Sequence, residues 1–179
     1  MSPALRQLDP ERLGDHFDRL FRAAWALCGS REDAEDLVQE TYTRVLGKRR
    51  LLRGEDDLGY LLRVLRNTQF SRVRAAGRRV RTSPLPDDLD MREDPAALAP
   101  PAALEAREVF EAIAALPPGF REALVAIDVV GLSYREAGRA LRVPEGTITT
   151  RLFRARKQVA QSLRGKERPV AGVQVDRGT

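Results

Sequence analysis

One face of a predicted helix carries the chemistry that single-stranded nucleic acid requires. Between residues 58 and 74, the side chains at i, i+4, i+7 and i+11 of this face are Arg63, Asn67, Phe70 and Arg74. At 100° per residue they lie opposite a stripe of leucines, so the predicted helix is amphipathic. Guanidinium groups neutralise phosphates, whereas amides and flat rings contact unstacked bases. The pattern predicts a binding face for a separated nucleic-acid strand.

The charge around this helix favours the same interpretation. Residues 47–82 contain ten arginines and one lysine against three acidic side chains. Arginine binds phosphate in a planar, bidentate geometry that lysine lacks. The predicted strand-binding set therefore also includes Arg66 on the helix and, in the basic loop before it, Arg49 and Arg53. A cationic surface that serves only solubility is the alternative at this point.

A second pattern, closer to the C-terminal end, is typical of a helix-turn-helix. Ser133 and Glu136 form an S-x-x-E capping box, which predicts a short helix through Leu141. A tight turn follows, and Pro144 begins a longer helix that is apolar on one side and rich in threonine and arginine on the other. Arginine pairs with guanine edges in the major groove, and threonine contacts thymine methyls or phosphate. The alternative is that these two helices form an ordinary helical hairpin with a polar exterior. If they form a helix-turn-helix, we expect contacts with duplex DNA at Ser133, Thr147, Thr150, Arg151, Arg154 and Lys157.

An acidic helix near the N-terminal end has the opposite charge. Ser30 stands where an N-cap belongs, and carboxylates follow in the first turn, where they suit the positive end of the helix dipole. The apolar side of this helix predicts a core face, while its outer side repels phosphate. That outer side is either a solvated surface or a docking face for a basic protein. The docking residues would be Asp33, Asp36, Gln39 and Glu40.

The composition of the 179 residues argues against several classes of function. With a single cysteine, Cys28, and a single histidine, we expect no internal disulfide, no thiolate–imidazole metal site and no cofactor. Cys28 is predicted to be a small buried residue. A net charge of +5 and a pI near 10.0 favour a polyanionic partner. No apolar run approaches the roughly 18 residues of a membrane span, and no signal-peptide core is visible, so we expect a cytoplasmic protein without membrane insertion.

The apolar spacing predicts an all-α fold with two small helical domains joined by a flexible linker. The first domain would cover residues 10–81 and the second residues 105–165. Between them, residues 82–104 are acidic and rich in proline, which favours an extended, solvated linker. Residues 166–179 are predicted to form a flexible tail. The first helix is predicted to bury one aromatic-rich stripe, formed by Leu13, Phe17, Leu20, Phe21 and Trp25.

Five segments, in order along the chain, resemble those of one bacterial family. Two resemble the second conserved region of extracytoplasmic-function (ECF, group IV) sigma factors of the sigma-70 family, namely residues 29–42 and 60–67. Three resemble the fourth conserved region, namely residues 116–123, 131–137 and 143–156. Several long motifs in the family's order, across a variable linker, make the resemblance specific.

This resemblance implies a non-enzymatic specificity subunit of RNA polymerase. The implied partner is core RNA polymerase, through the clamp helices and flap of its large subunits, with the acidic helix docking on the clamp helices. The basic helix and its preceding loop would capture the non-template strand of the −10 element during melting, and the helix-turn-helix would read the −35 element as duplex. An anti-sigma factor is a further implied partner.

Three positions depart from the family pattern. Tyr60 stands where tryptophan is frequent, Ser71 where aspartate is common, and Thr149 where lysine is usual. The first change keeps an aromatic ring. The second removes a negative charge from a basic helix, and the third predicts an unusual −35 preference.

Two other classes of protein fit parts of the sequence. A self-sufficient helix-turn-helix repressor would bind palindromic half-sites as a dimer, but no obvious dimerisation helix follows the recognition helix. A metal-dependent phosphodiesterase would need carboxylates clustered in a basic groove. The acidic residues here lie mainly on the second helix and in the linker.

Overall fold

Helices make up nearly all of the chain that the structure describes. The computed structural model describes residues 5–7, 11–47, 51–53, 57–82 and 101–166. A 3₁₀ helix, Glu11–His16, leads into the first α-helix, and a π-helical turn, Val125–Val129, continues the fifth. The α-helices are α1 Phe17–Cys28, α2 Arg31–Leu46, α3 Asp57–Thr82, α4 Pro101–Ala114, α5 Pro118–Leu124, α6 Tyr134–Leu141 and α7 Glu145–Lys166. The predicted all-helical fold class is confirmed.

Two details differ from the expected organisation. Helix α4 begins at Pro101, four residues inside the predicted linker, because proline is well tolerated in the first turn of a helix. A short antiparallel pair, β1 Leu5–Gln7 and β2 Leu51–Arg53, joins the N-terminal segment to the loop before α3. Residues 83–100 of the linker and 167–179 of the tail lie outside the described residues.

The predicted helix starts are confirmed by their caps. The Ser30 hydroxyl accepts a hydrogen bond from the backbone N–H of Asp33 at 3.4 Å. At α6, the Glu136 backbone N–H donates to the Ser133 hydroxyl, and the Glu136 carboxylate accepts from the Ser133 backbone N–H at 2.8 Å. Both caps satisfy backbone donors that the first helical turn leaves without an intrahelical partner.

Helices α1, α2 and α3 form the first packed unit. Its fully buried side chains include Leu20, Leu37, Leu61 and Leu65. Thr41 is also fully buried, and its hydroxyl donates to the Leu37 carbonyl of the preceding turn at 2.7 Å. That bond removes the cost of burying an unpaired hydroxyl.

Helices α4 to α7 form the second unit, in which α6 and α7 are the predicted helix-turn-helix. Ile148 and Leu152 are buried on the inner side of α7. On the outside, Nε and Nη2 of the Arg156 guanidinium donate to the two carboxylate oxygens of Asp128, at 2.9 and 2.6 Å. This bidentate pair ties the middle of α7 to the π-helical turn.

The two units pack directly on each other and share one apolar core. The rings of Trp25 on α1 and Phe110 on α4 stack with centroids 4.6 Å apart. Arg121 on α5 donates to the Leu27 carbonyl on α1 at 2.7 Å. A Cβ on Gly29 would lie only 3.0 Å from the Cβ of Ala114, so the backbones approach closely here. The sequence predicted two units but not this contact between them.

The predicted core stripe of α1 is only partly correct. Leu13 and Leu20 are buried, and Trp25 is half-buried against the second unit. Phe17 is 48% exposed, so its assignment to the core was wrong. The helical spacing of apolar residues does not by itself distinguish a core position from an aromatic residue at the edge of a groove.

Cys28 lies half-buried at the end of α1. Burial, with the negative charge of Asp33 nearby, raises the pKa of its thiol to about 11, so the thiol is protonated at neutral pH. Across the described ranges, no group of three His, Cys, Asp or Glu side chains is arranged for a metal ion. None of the described helices is long and apolar enough to cross a membrane.

Two glycines in the helix-turn-helix should respond oppositely to alanine. A Cβ on Gly138 would lie 3.0 Å from the Val143 carbonyl oxygen in the turn, whereas one on Gly146 meets nothing within 4 Å. We expect Gly138→Ala to lower the free energy of unfolding by about 1–3 kcal/mol through overpacking. Gly146→Ala is the matched control and should raise it by about 0.4–1 kcal/mol. Urea unfolding measures both, and equal effects would contradict the tight turn.

Candidate nucleic-acid and protein interfaces

Three residues of the predicted strand-binding face of α3 lie at the surface of the molecule. Asn67 and Arg74 are exposed, and Phe70 is 43% exposed. Leu61 and Leu65, on the opposite side, are completely buried. A rigid helix therefore presents an amide, a ring and a guanidinium in one row, which suits a strand whose bases are unstacked.

Two arginines of the predicted set are already bonded to the second unit. Arg63 donates to the carbonyls of Arg139 at 3.1 Å and Ala140 at 3.4 Å, and Arg66 donates to the carbonyl of Leu141 at 3.3 Å. These carbonyls belong to the last turn of α6, where they have no intrahelical partner and carry the negative end of the helix dipole. Sequence reasoning did not foresee these bonds, because residues more than seventy positions apart form them.

Arg66 has two further contacts. Its guanidinium lies 3.6 Å from the carboxylate of Glu122 and 5.7 Å from the centre of the Phe70 ring. Burial raises the pKa of Glu122, and the positive charges of Arg66, Arg151 and Arg121 oppose that rise. Glu122 thus lies among arginines from both units.

Two residues of the predicted strand-binding set, Arg49 and Arg53, precede α3. Arg53 ends strand β2, whose backbone pairs with β1. Arg49 lies outside the described residues. Their predicted contact with a −10 strand stays a prediction.

The outer face of α7 has the character of a recognition helix. Thr150, Arg154 and Lys157 are exposed, while Thr147 and Arg151 are half-buried near its N-terminal end. The Thr150 hydroxyl donates to the Gly146 carbonyl of its own helix at 3.1 Å, so it can still accept. The Arg151 guanidinium lies close to Gly119 on α5, where an added Cβ would come within 3.2 Å of it. The Arg151 side chain therefore packs partly against α5 of its own unit.

Sequence reasoning missed several exposed groups beside this helix. Three arginines of α6 and its turn line an open cavity of about 430 Å³, namely Arg135, Arg139 and Arg142. Their spacing on a short helix was the available signal. Guanidiniums at this position suit the phosphates that flank a major groove. Phe153, on α7, is 71% exposed and has no described role in the core.

The predicted docking face of α2 is present and partly neutralised. Asp33, Asp36 and Gln39 are exposed, and Glu40 pairs with Arg44 one turn later at 2.6 Å. Arg72 of α3 lies 3.7 Å from the carboxylate of Asp33 and 3.9 Å from that of Asp36. Such exposed pairs contribute little to stability, so the carboxylates remain available to a basic partner.

An apolar groove beside this face was not predicted. It has a volume of about 360 Å³ between α1 and α2, and its lining includes Phe17, Phe21, Val38, Tyr42 and Leu46. Leu46 is 57% exposed, and the rings of Phe17 and Tyr42 stack with centroids 6.3 Å apart. An apolar groove that contains one carboxylate, Glu35, and adjoins the acidic face of α2 suits a helix that is both apolar and basic.

Comparison with known proteins gives matches over both units. Residues 13–79 match the family Sigma-70 region 2, and residues 106–159 match Sigma-70, region 4. The chain is 38% identical over 157 residues to the ECF RNA polymerase sigma factor SigE of Mycolicibacterium smegmatis, covering 86% of this chain and 60% of that protein. It is 32% identical over 141 residues to EcfG of Rhodopseudomonas palustris, covering 78% and 76% respectively.

Two solved structures are similar in fold. The sigma factor RpoE of Bartonella quintana, solved with the anti-sigma factor NepR, has a TM-score of 0.70 and 28% identity, covering 86% of this chain and 95% of that one. CnrH, solved with the cytosolic domain of CnrY, has a TM-score of 0.61, and at 21% identity it supports the fold alone.

The capping box at Ser133 should make stability depend on pH. Hydrogen bonds from Ser133 hold the pKa of the Glu136 carboxyl below its usual value of 4.5. The ionised Glu136 carboxylate therefore contributes its full share of folding stability above pH 4.5. That share is lost as the pH falls through the lowered pKa of Glu136. We expect Ser133→Ala to cost about 1 kcal/mol at pH 7 and less at about pH 4. Urea unfolding at both pH values measures this, with Ser162→Ala on exposed α7 as the control. A cost independent of pH would contradict the ionic cap.

Proposed function

The chain belongs to the extracytoplasmic-function RNA polymerase sigma factors of the sigma-70 family, and we propose that it is the promoter-specificity subunit of a bacterial RNA polymerase. It binds core polymerase, directs it to promoters through their −35 and −10 elements and promotes melting. The observation that carries this proposal is the combination of two exposed basic faces, on α3 and α7, with one exposed acidic face, on α2, in a chain that matches Sigma-70 regions 2 and 4. The role is non-enzymatic and cytoplasmic.

Two functional units divide this work. Residues 10–81 bind polymerase and the −10 element, and residues 105–165 bind the −35 element, with the acidic segment 82–104 linking them and 166–179 as a tail. The matched regions 13–79 and 106–159 support this division. Because a linker of about twenty residues has a long reach when extended, the two units can occupy separate sites on DNA.

Core polymerase docks on α2. Asp33, Asp36, Gln39 and Glu40 face its clamp helices, and the adjacent apolar groove receives nonpolar side chains of the same partner. Charge complementarity accelerates and orients the encounter, while the buried apolar contact supplies most of the affinity. The second unit reaches the flap.

The −35 element is read as duplex by α7. Thr147, Thr150, Arg151 and Arg154 enter the major groove, and Lys157 contacts phosphate. At the start of α6, Ser133 lies where helix-turn-helix proteins cross the DNA backbone. The guanidiniums of Arg154 on α7 and of Arg135, Arg139 and Arg142 at α6 support this orientation, because these residues are exposed and can approach DNA.

The −10 element is captured as a single strand on α3. Extruding a base from the duplex costs a few kcal/mol, and phosphate contacts must offset this in the absence of ATP. Arg63, Arg66 and Arg74 supply those contacts, while Asn67 and Phe70 face the bases. Arg49 and Arg53 complete the site from the preceding loop.

An anti-sigma factor is a further proposed partner. RpoE of Bartonella quintana was solved with such a factor, NepR, and is 28% identical to this chain. A protein of this class inhibits by covering the α2 or α3 face, since both must be accessible in the initiating complex.

Charge reversal on α2 tests the proposed docking face. We expect the wild-type chain to co-elute with purified bacterial core RNA polymerase in gel filtration, and Asp36→Arg/Glu40→Arg to abolish co-elution because like charges then meet. Glu105→Arg/Glu108→Arg makes the same charge change on α4, in the second unit, and is the control. A chain that ignores core polymerase but dimerises on palindromic duplex would instead be a repressor.

Two neighbouring cations on α7 should separate base reading from phosphate binding. With Arg154→Ala, we expect the polymerase complex to lose about 1–3 kcal/mol of promoter binding and to discriminate less between −35 sequences. With Lys157→Ala, binding should weaken similarly for all sequences, with a salt slope about 1 unit smaller. Filter binding to promoters with native and scrambled −35 elements measures both. If Arg154→Ala weakened binding to promoters with native and scrambled −35 elements equally, Arg154 would not read bases.

A further inference from the structure

Two neighbouring threonines on the outer side of α7 are hydrogen-bonded to their own helix. Thr149 and Thr150 are both exposed, and their hydroxyls donate to the carbonyls of Glu145 at 3.2 Å and Gly146 at 3.1 Å. A hydroxyl has one proton, so a hydroxyl bonded in this way does not also donate to guanine N7 or O6, which only accept. The group that remains for an apolar contact with a base is the methyl of each side chain. Thr149 is not in the predicted duplex-contacting set.

Thr149 lies in the part of α7 that a helix-turn-helix directs at base edges. It is the fifth residue of a helix that begins at Glu145, and the N-terminal residues of a recognition helix contact bases in the major groove. An added Cβ on Gly146, in the first turn, would meet nothing within 4 Å, so the approach to this turn is open. The Thr149 side chain can therefore reach a base pair when α7 lies in the groove.

The side of α7 that carries Thr149 differs in chemistry from the side that carries Arg154. Phe153 and Arg156 follow Thr149 at i+4 and i+7, so the three residues lie on one side of the helix. Phe153 is 71% exposed, and Nε and Nη2 of Arg156 already donate to Asp128. This side therefore presents a methyl and a ring, whereas the exposed guanidinium of Arg154 can donate to guanine.

We propose that Thr149 determines specificity by contacting the methyl group of a thymine, so that the −35 element of this chain has an A·T pair at the position Thr149 faces. This inference deepens the proposed function and rests on it. Thymine presents a methyl in the major groove, and its partner adenine presents an N6 donor that the Thr149 hydroxyl oxygen can accept. A G·C pair offers no methyl there. The exposed carboxylate of Glu145, one turn earlier, further disfavours guanine because N7 and O6 are also acceptors.

Methyl groups removed from the DNA test this contact. The full chain, bound to core RNA polymerase, is first used to select promoter fragments whose −35 positions are randomised. We expect the selected element to contain thymine. Each thymine is then replaced in turn by deoxyuridine, which lacks only the 5-methyl group. At the thymine that Thr149 faces, binding should weaken about fourfold, the ratio expected for burying one methyl group.

Removing the methyl from the protein completes a double-mutant cycle. Thr149→Ser keeps the hydroxyl and deletes the methyl, so the thymine and deoxyuridine promoters should bind equally. Thr149→Val keeps the methyl and has the same shape, so the ratio of about fourfold should remain. Thr150→Ser is the matched control. It deletes the same methyl one residue later and contacts a different base pair, so it should leave the ratio at this thymine unchanged.

The inference and the proposed function fail in different ways. A −35 element without thymine, a wild-type complex that binds the thymine and deoxyuridine promoters equally, or a ratio that persists in Thr149→Ser overturns the thymine contact. A ratio that disappears in Thr149→Val also overturns it, because the hydroxyl would then be the reading group. A wild-type chain that, with core polymerase, selects no −35 sequence at all refutes the sigma role instead.

Discussion

Helix α1 is buried on two sides, and the positions of the other elements depend on it. Ala23, Ala24 and Ala26 are completely buried, and these small side chains let neighbouring helices approach closely. One side of α1 receives α2 and α3, and the other receives α4 and the π-helical turn. Larger residues on α1 would separate these layers and move the α3 face relative to α7.

Arginine serves two purposes in this molecule. On exposed faces it is available to nucleic acid, while at contacts between elements it donates to main-chain carbonyls. Arg72 reaches the Asp33 carbonyl at 3.2 Å, and Arg121 bonds the Leu27 and Leu116 carbonyls at once. A planar guanidinium with five donors can join backbone groups of different helices, which a lysine cannot do in one plane. The same property allows Arg63 to donate to two carbonyls at the end of α6.

Most local features could be predicted from residue type and spacing. The caps at Ser30 and Ser133, the buried leucines of α3 and the polar outer face of α7 depend on interactions within about one or two helical turns, so the sequence contains the necessary information. The exposure of Phe17 could not be predicted this way. It depends on how far α2 covers α1, and helical period does not report that.

The sequence by itself determined the helices, their capped starts, the separation of acidic from basic faces and the resemblance to the sigma-70 regions. These follow from short-range periodicity, charge and contiguous motifs. Only the tertiary structure decided that the two units share a core, that Arg63 and Arg66 meet the end of α6, and that an apolar groove adjoins the acidic face. Each of these depends on surfaces far apart in the chain, and their contact is governed by shape and by the pairing of orphaned carbonyls rather than by local pattern.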